Sequence, residues 1–69
     1  MNTIKTGVVG VGHMGINHAR IYSELEGSTL AAVYDANGAT ASAVAAKFHT
    51  RATTSLEEFA DLVDAATIC

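Results

Sequence analysis

Proline and tryptophan are absent from this chain, cysteine occurs once, and only four residues are lysine or arginine. Each shortage excludes something. A single cysteine cannot staple a small domain, so there is no disulfide framework. Four basic residues against seven acidic ones leave a formal net charge of −3, with no basic cluster. That argues against a nucleic-acid partner. The longest apolar stretches fall far below a membrane span. The N-terminus has no signal-peptide pattern, since beyond Lys5 come a glycine and only a short apolar run. No repeat, linker or low-complexity segment interrupts the sequence. The expectation is a cytoplasmic protein with neither membrane nor nucleic acid among its partners.

The chain does hold many small apolar residues. High apolar content, few aromatics and abundant alanine suit a thin, closely packed α/β layer. At 69 residues the chain is short even for a full doubly wound domain. A chain of this size buries only about 60% of its extended surface. Ala65-Ala66-Thr67-Ile68-Cys69 reads as a buried strand with no polar tail. The expectation is therefore the N-terminal piece of a longer protein.

Strand and helix patterns alternate along the sequence. Thr3–Val9 reads as strand one and His13–Leu25 as helix one. The apolar face of that helix runs through Met14, Ile21 and Leu25, with Gly15, Ala19 and Tyr22 beside it. Gly27 supplies its stop signal. Thr29–Tyr34 reads as strand two. Ala41, Val44, Ala45 and Phe48 form an i, i+3, i+4, i+7 stripe on a second helix over 38–48. Arg51–Thr53 is a short third strand. Ser55-Leu56-Glu57-Glu58 is a capping box, with the Ser55 hydroxyl accepting from the Glu58 amide and the Glu58 carboxylate reaching back. It opens a third helix with Leu56, Phe59 and Leu62 inward. Ala65–Cys69 is strand four. This alternation, with near-continuous apolar strands, predicts an α/β fold: a Rossmann-type doubly wound parallel sheet, βαβαβαβ, in its N-terminal part only. The predicted strand order is 3-2-1-4, with Cys69 at the rim of the crevice between strands one and four.

One motif names a ligand. Gly10-Val11-Gly12-His13-Met14-Gly15 follows the apolar run Ile4–Val9 and opens the first helix. Asp35 ends the next apolar run, about 20 residues on. A diphosphate needs a turn free of side chains, leading to helix amides that lack partners. Gly10 permits the backbone angles of such a turn. Gly12 leaves room for the diphosphate to approach the main chain. Gly15 lets the helix pack closely on the strand. His13 and Met14 sit at the helix start and meet the phosphates mainly through their backbone. A carboxylate at Asp35 can accept from both hydroxyls of the adenosine ribose, each bond being worth about 1.5–3 kcal/mol. It also repels a 2′-phosphate, and the next cation is only Lys47. NAD is therefore favoured over NADP. Asp35 or Asn37 could alternatively serve as the cap of the second helix.

Other candidates carry less. His13 and His18 are five residues apart, which does not place them on one helix face, and His49 lies in a turn. No metal site is expected. His18 is read as a packed histidine and Cys69 as a small apolar filler. Glu57, Glu58, Asp61 and Asp64 form a solvated acidic face plus the cap. No catalytic residue is identified.

The motif Val8-Val9-Gly10-Val11-Gly12-His13-Met14-Gly15, then His18-Ala19-Arg20, Val33-Tyr34-Asp35, Ala45-Ala46-Lys47-Phe48, Ser55-Leu56-Glu57-Glu58 and Val63-Asp64-Ala65-Ala66-Thr67-Ile68-Cys69 resembles the N-terminal pattern of the glucose–fructose oxidoreductase / inositol dehydrogenase family (Gfo/Idh/MocA). The resemblance spans essentially the whole chain. It implies that residues 1–69 are part of an NAD(P)-binding Rossmann domain. The rest of that domain, and an α/β substrate domain, would lie elsewhere. It implies an oxidoreductase moving hydride between a nicotinamide cofactor and a sugar, inositol or related polyol. The family's Glu-Lys-Pro lysine and its downstream His or Asp have no counterpart here, so no catalytic residue carries over. The matching cofactor positions are Gly10, Gly12, His13, Met14, Gly15 and Asp35. A homo-oligomer is expected for the full-length protein. Three other readings compete: a β-hydroxyacid-type dehydrogenase, a non-catalytic NAD(H)-sensing domain, and an S-adenosylmethionine-dependent methyltransferase.

Overall fold

The computed structural model describes residues 3–69, with the side chains of His13 and Met14 outside the described set. The elements are β1 (Ile4–Val9), α1 (His13–Glu24), β2 (Ser28–Tyr34), α2 (Gly38–Phe48), β3 (Arg51–Ala52), α3 (Leu56–Leu62) and β4 (Ala65–Ile68). The four strands form one sheet in the order β3-β2-β1-β4, and every pairing is parallel. Sheet, crossovers and strand order match the expectation from the sequence.

The two faces of β1 explain the layering. Side chains alternate along a strand, so neighbours point to opposite faces. Val8 is fully buried and belongs to the main core with Val11, Ala19 and Val33, and with Ala41 and Val44 from α2. Full burial of a valine is worth about 1.5–3 kcal/mol. Gly7 faces the other way. A Cβ there would lie 2.5 Å from Cζ of Phe59 and 2.7 Å from Cγ1 of Val63. The missing side chain is what lets α3 lie against β1, with Phe59 buried. A register irregularity falls between Thr6 and Gly7. There the buried Thr6 hydroxyl shares a 3.0 Å hydrogen bond with Ser28 Oγ and lies 3.1 Å from the Thr29 carbonyl oxygen.

The helix caps follow from local chemistry. Asn37 Oδ1 accepts from the amides of Ala39 and Thr40, at 3.1 and 3.3 Å. Asn37 is therefore the cap of α2, and Asp35 is not. His49 stops α2 in the left-handed region at φ 55°. Ser55 Oγ accepts from the Glu58 amide at 3.1 Å, as expected of the capping box. The Glu58 carboxylate, however, bonds the amide of Thr54, one residue before the cap.

Several expectations on packing need correction. Ile21 and Leu25 are about half exposed, and the face of α1 that meets the sheet runs through Gly15, Ala19 and Tyr22, with Ile16 beside them. Met14 lies outside the described side chains. A helix held this close to its sheet has room only for small residues on the contact line, so the bulkier aliphatics flank it. Leu56 is exposed because it starts α3, where Phe59 makes the inward contact. Strand four is not buried: Ile68 is 79% exposed and Cys69 is exposed. Among the described residues β4 has a neighbour on one side only, β1. Helix one ends at Leu25 as its cap. Gly27, at φ +85°, instead shapes the turn that follows, and its carbonyl accepts from Ile4 N–H.

Candidate cofactor-binding site

The β1–α1 turn lies between the carboxyl ends of β2 and β4. Gly10 N–H donates to the Tyr34 carbonyl at 2.8 Å, and Cys69 N–H donates to the Val9 carbonyl at 2.9 Å. Gly10 has φ +85°, which side chains rarely tolerate. A Cβ there would also stand 2.8 Å from the Cys69 carbonyl oxygen. Gly15 is buried, and a Cβ on it would collide with the carbonyl oxygen of Gly10. Around Gly12 the opposite holds: a Cβ would meet nothing within 4 Å. Two of the three motif glycines are thus required by protein atoms. The third faces open space.

Helix α1 begins at the same place. Its first ladder bond runs from Ile16 N–H to the Gly12 carbonyl at 3.0 Å. The amides just before Ile16 have no acceptor within the helix, as at any helix start. Gly12 is the N-cap and offers no side chain to take them. An anion above Gly12 would find amide donors and the positive end of the helix together. The backbone at His13 and Met14 is part of this opening; their side chains lie outside the described residues.

Asp35 follows β2 directly. Its Oδ2 accepts from the Val11 amide at 3.0 Å and its Oδ1 from the Asn37 amide at 2.8 Å. The carboxylate is half-buried and adjoins the glycine turn. On the β3 side it borders a groove of about 310 Å³, lined also by Tyr34, Ala36, Gly38, Ser42 and Thr53. The structure thus brings Gly10, Gly12, Gly15 and Asp35 to one end of the sheet. These residues fit a dinucleotide on structural grounds, through a bare seat at Gly12 and an acceptor beside it.

The remaining candidates lie apart. His18 is half-buried on α1 and His49 is exposed in the turn after α2. Among the described residues, no group of three His, Cys, Asp or Glu side chains comes together to hold a metal ion. None of the described helices is long and apolar enough to cross a membrane.

Sequence reasoning missed three contributors. Val11, inside the motif, is 1% exposed and anchors the turn in the core, while its amide bonds Asp35. Gly7 seats α3, and its signal was an isolated glycine inside a strand pattern. Tyr22 ties α1 to β4 through a 2.5 Å bond between its hydroxyl and Thr67 Oγ1. Nothing in the local pattern marks that pair, which is 45 residues apart.

Fold and site together define a dinucleotide-binding α/β unit of the Rossmann class. The chain belongs to the Gfo/Idh/MocA family, the oxidoreductase family with an NAD-binding Rossmann fold, whose profile matches residues 4–69. It is 43% identical over 65 residues to UDP-N-acetylglucosamine 3-dehydrogenase of Acidithiobacillus ferrooxidans, covering 94% of this chain and 20% of that protein. A crystal form of that dehydrogenase superposes with a TM-score of 0.92 at 42% identity, over 100% of this chain and 22% of the other. GenD2 from gentamicin A biosynthesis, solved in complex with NAD, gives a TM-score of 0.92 at 28% identity, over 100% of this chain and 20% of the other. The myo-inositol dehydrogenase of Lactobacillus casei, solved with NAD(H) and myo-inositol, gives 0.86 at 26% identity, over 97% and 21%. The chain therefore spans about a fifth of the length of these relatives. NAD is the cofactor of this unit.

Proposed function

We propose that residues 1–69 form the first part of the NAD-binding domain of a cytoplasmic oxidoreductase. The reaction moves hydride between the nicotinamide and a hydroxyl-bearing carbon of a sugar, cyclitol or related polyol. Substrate-binding and catalytic groups lie on chain beyond these residues, in a second domain. One observation carries the reading: a bare turn opens α1, with open space above Gly12 and the Asp35 carboxylate fixed next to it.

In this reading the diphosphate sits over Gly12 and takes the amides that open α1. Gly10 and Gly15 set the shape of that seat. The ribose hydroxyls of the adenosine half donate to Asp35, and the same charge turns away a 2′-phosphate. The main-chain amides of His13 and Met14 face the phosphates. Two of the relatives support the substrate class: one is named as a UDP-N-acetylglucosamine 3-dehydrogenase, and another was solved with myo-inositol.

Titration of the full-length protein with NADH, NADPH and S-adenosylmethionine tests the cofactor half. Tight binding of NADH alone is expected. Replacing Asp35 with alanine should weaken NADH binding and narrow the gap to NADPH. Unchanged affinity for both would remove Asp35 from the ribose site. An activity screen with NAD against inositols, sugars and sugar nucleotides tests the substrate half.

A further inference from the structure

The Asp35 carboxylate does more than border the ribose position. Its Oδ2 holds the Val11 amide at 3.0 Å across 24 residues of chain, and its Oδ1 holds the Asn37 amide at 2.8 Å. The neighbouring amide of the turn, Gly10 N–H, is held by the Tyr34 carbonyl at 2.8 Å. The end of β2 thus grips two successive amides of the glycine turn, one through main chain and one through a side chain. The main-chain grip needs no particular side chain at Tyr34. The side-chain grip depends on residue 35 alone. A carboxylate oxygen has two lone pairs, so each oxygen keeps one for a ribose hydroxyl after accepting an amide.

We propose that Asp35 is a positioning residue for the diphosphate as well as the reader of the ribose. By fixing the Val11 amide toward β2, it sets the plane of the Gly10–Val11 peptide, the point from which the chain turns to aim the amides from Gly12 onward above the turn. The inference rests on the cofactor reading above and adds a second role to the same residue. It also carries an unusual sign. An acid beside an anion site repels the anion, so removing its charge should by electrostatics alone strengthen anion binding. If Asp35 shapes the seat, removing it weakens binding instead.

The test uses inorganic pyrophosphate, which has no ribose, on the full-length protein. Wild type is compared with Asp35→Ala and with Asp35→Asn, which is equally uncharged but keeps a carbonyl oxygen for an amide. Amide hydrogen exchange at Val11 is read in parallel. In the alanine variant, Val11 exchange should speed at least tenfold and pyrophosphate affinity should fall severalfold. Asparagine has one oxygen where the carboxylate uses two, so with that oxygen on the Val11 amide its NH2 group faces the Asn37 amide and that second bond is lost. The asparagine variant should therefore keep Val11 better protected, and bind pyrophosphate more tightly, than the alanine variant. The inference is overturned if the alanine variant binds pyrophosphate as well as wild type, or if its Val11 amide exchanges at the wild-type rate. Failure of wild type to bind NADH would strike the cofactor reading itself. NADH binding by wild type, with unchanged pyrophosphate affinity in the alanine variant, strikes only the present inference.

Discussion

Two glycines of one motif should fail for opposite reasons, and comparing them separates fold from ligand. At Gly15 a Cβ would run into the backbone carbonyl of Gly10, which cannot swing aside as a side-chain tip can. The whole start of α1 must lift off β1, and the contacts of buried Ala19 and Val11 loosen with it. Overpacking of this kind costs about 1–3 kcal/mol. In a domain of 60–100 residues each kcal/mol lowers Tm by about 4–8 °C. Gly15→Ala should therefore lose roughly 4–24 °C in the cofactor-free protein. At Gly12 no atom lies within 4 Å of an added Cβ, so Gly12→Val should cost only what an N-cap loses on going from glycine to valine, about 1 kcal/mol or less. Its branched side chain would fill the diphosphate seat instead. Displacing the diphosphate from two charge-assisted amide bonds costs about 3–6 kcal/mol, or roughly two to four orders of magnitude in Kd. Thermal unfolding without cofactor and NADH titration by fluorescence measure the two quantities separately. A Gly12→Val protein with near wild-type NADH affinity would refute the seat. A Gly15→Ala protein with unchanged Tm would refute the close-packing account of the third glycine.

Gly7→Ala should destabilise by about 1–3 kcal/mol through the Phe59 ring, and Phe59→Leu in the same chain should recover part of that loss in denaturant unfolding. Strict additivity of the two changes would rule out the contact. Thr53 is buried with an unpartnered hydroxyl oxygen, so Thr53→Val should be neutral or stabilising, by up to about 1 kcal/mol; a clear loss of stability would mean the hydroxyl has a partner. Asn37→Ala removes the α2 cap and should cost about 1 kcal/mol, with Asn37→Asp restoring most of it. If alanine and aspartate behaved alike, Oδ1 would not be holding the helix start.

The glycine spacing, the acid at the end of the second strand and the cap signals were legible in the sequence because each depends on chain neighbours. A turn, a cap and a strand terminus are short-range events, so their chemistry shows in consecutive letters. The α2 boundaries came out as expected for that reason: Asn37 and His49 mark them locally. What stayed hidden joins residues far apart in the chain. Asp35 to Val11, Tyr22 to Thr67 and Gly7 to Phe59 are settled only when the sheet forms. Periodicity misled on α1 because it weighs apolar bulk, whereas the distance from helix to sheet decides who faces inward. That distance is short here because Gly15 sits against the Gly10 carbonyl. With the axis so close, Ala19 can be fully buried while Ile21 remains about half exposed. The glycine that shapes the anion seat therefore also dictates the packing of α1. Restoring a larger inward face on α1 would require moving the helix away from the turn, and its opening amides would move away from the ligand with it.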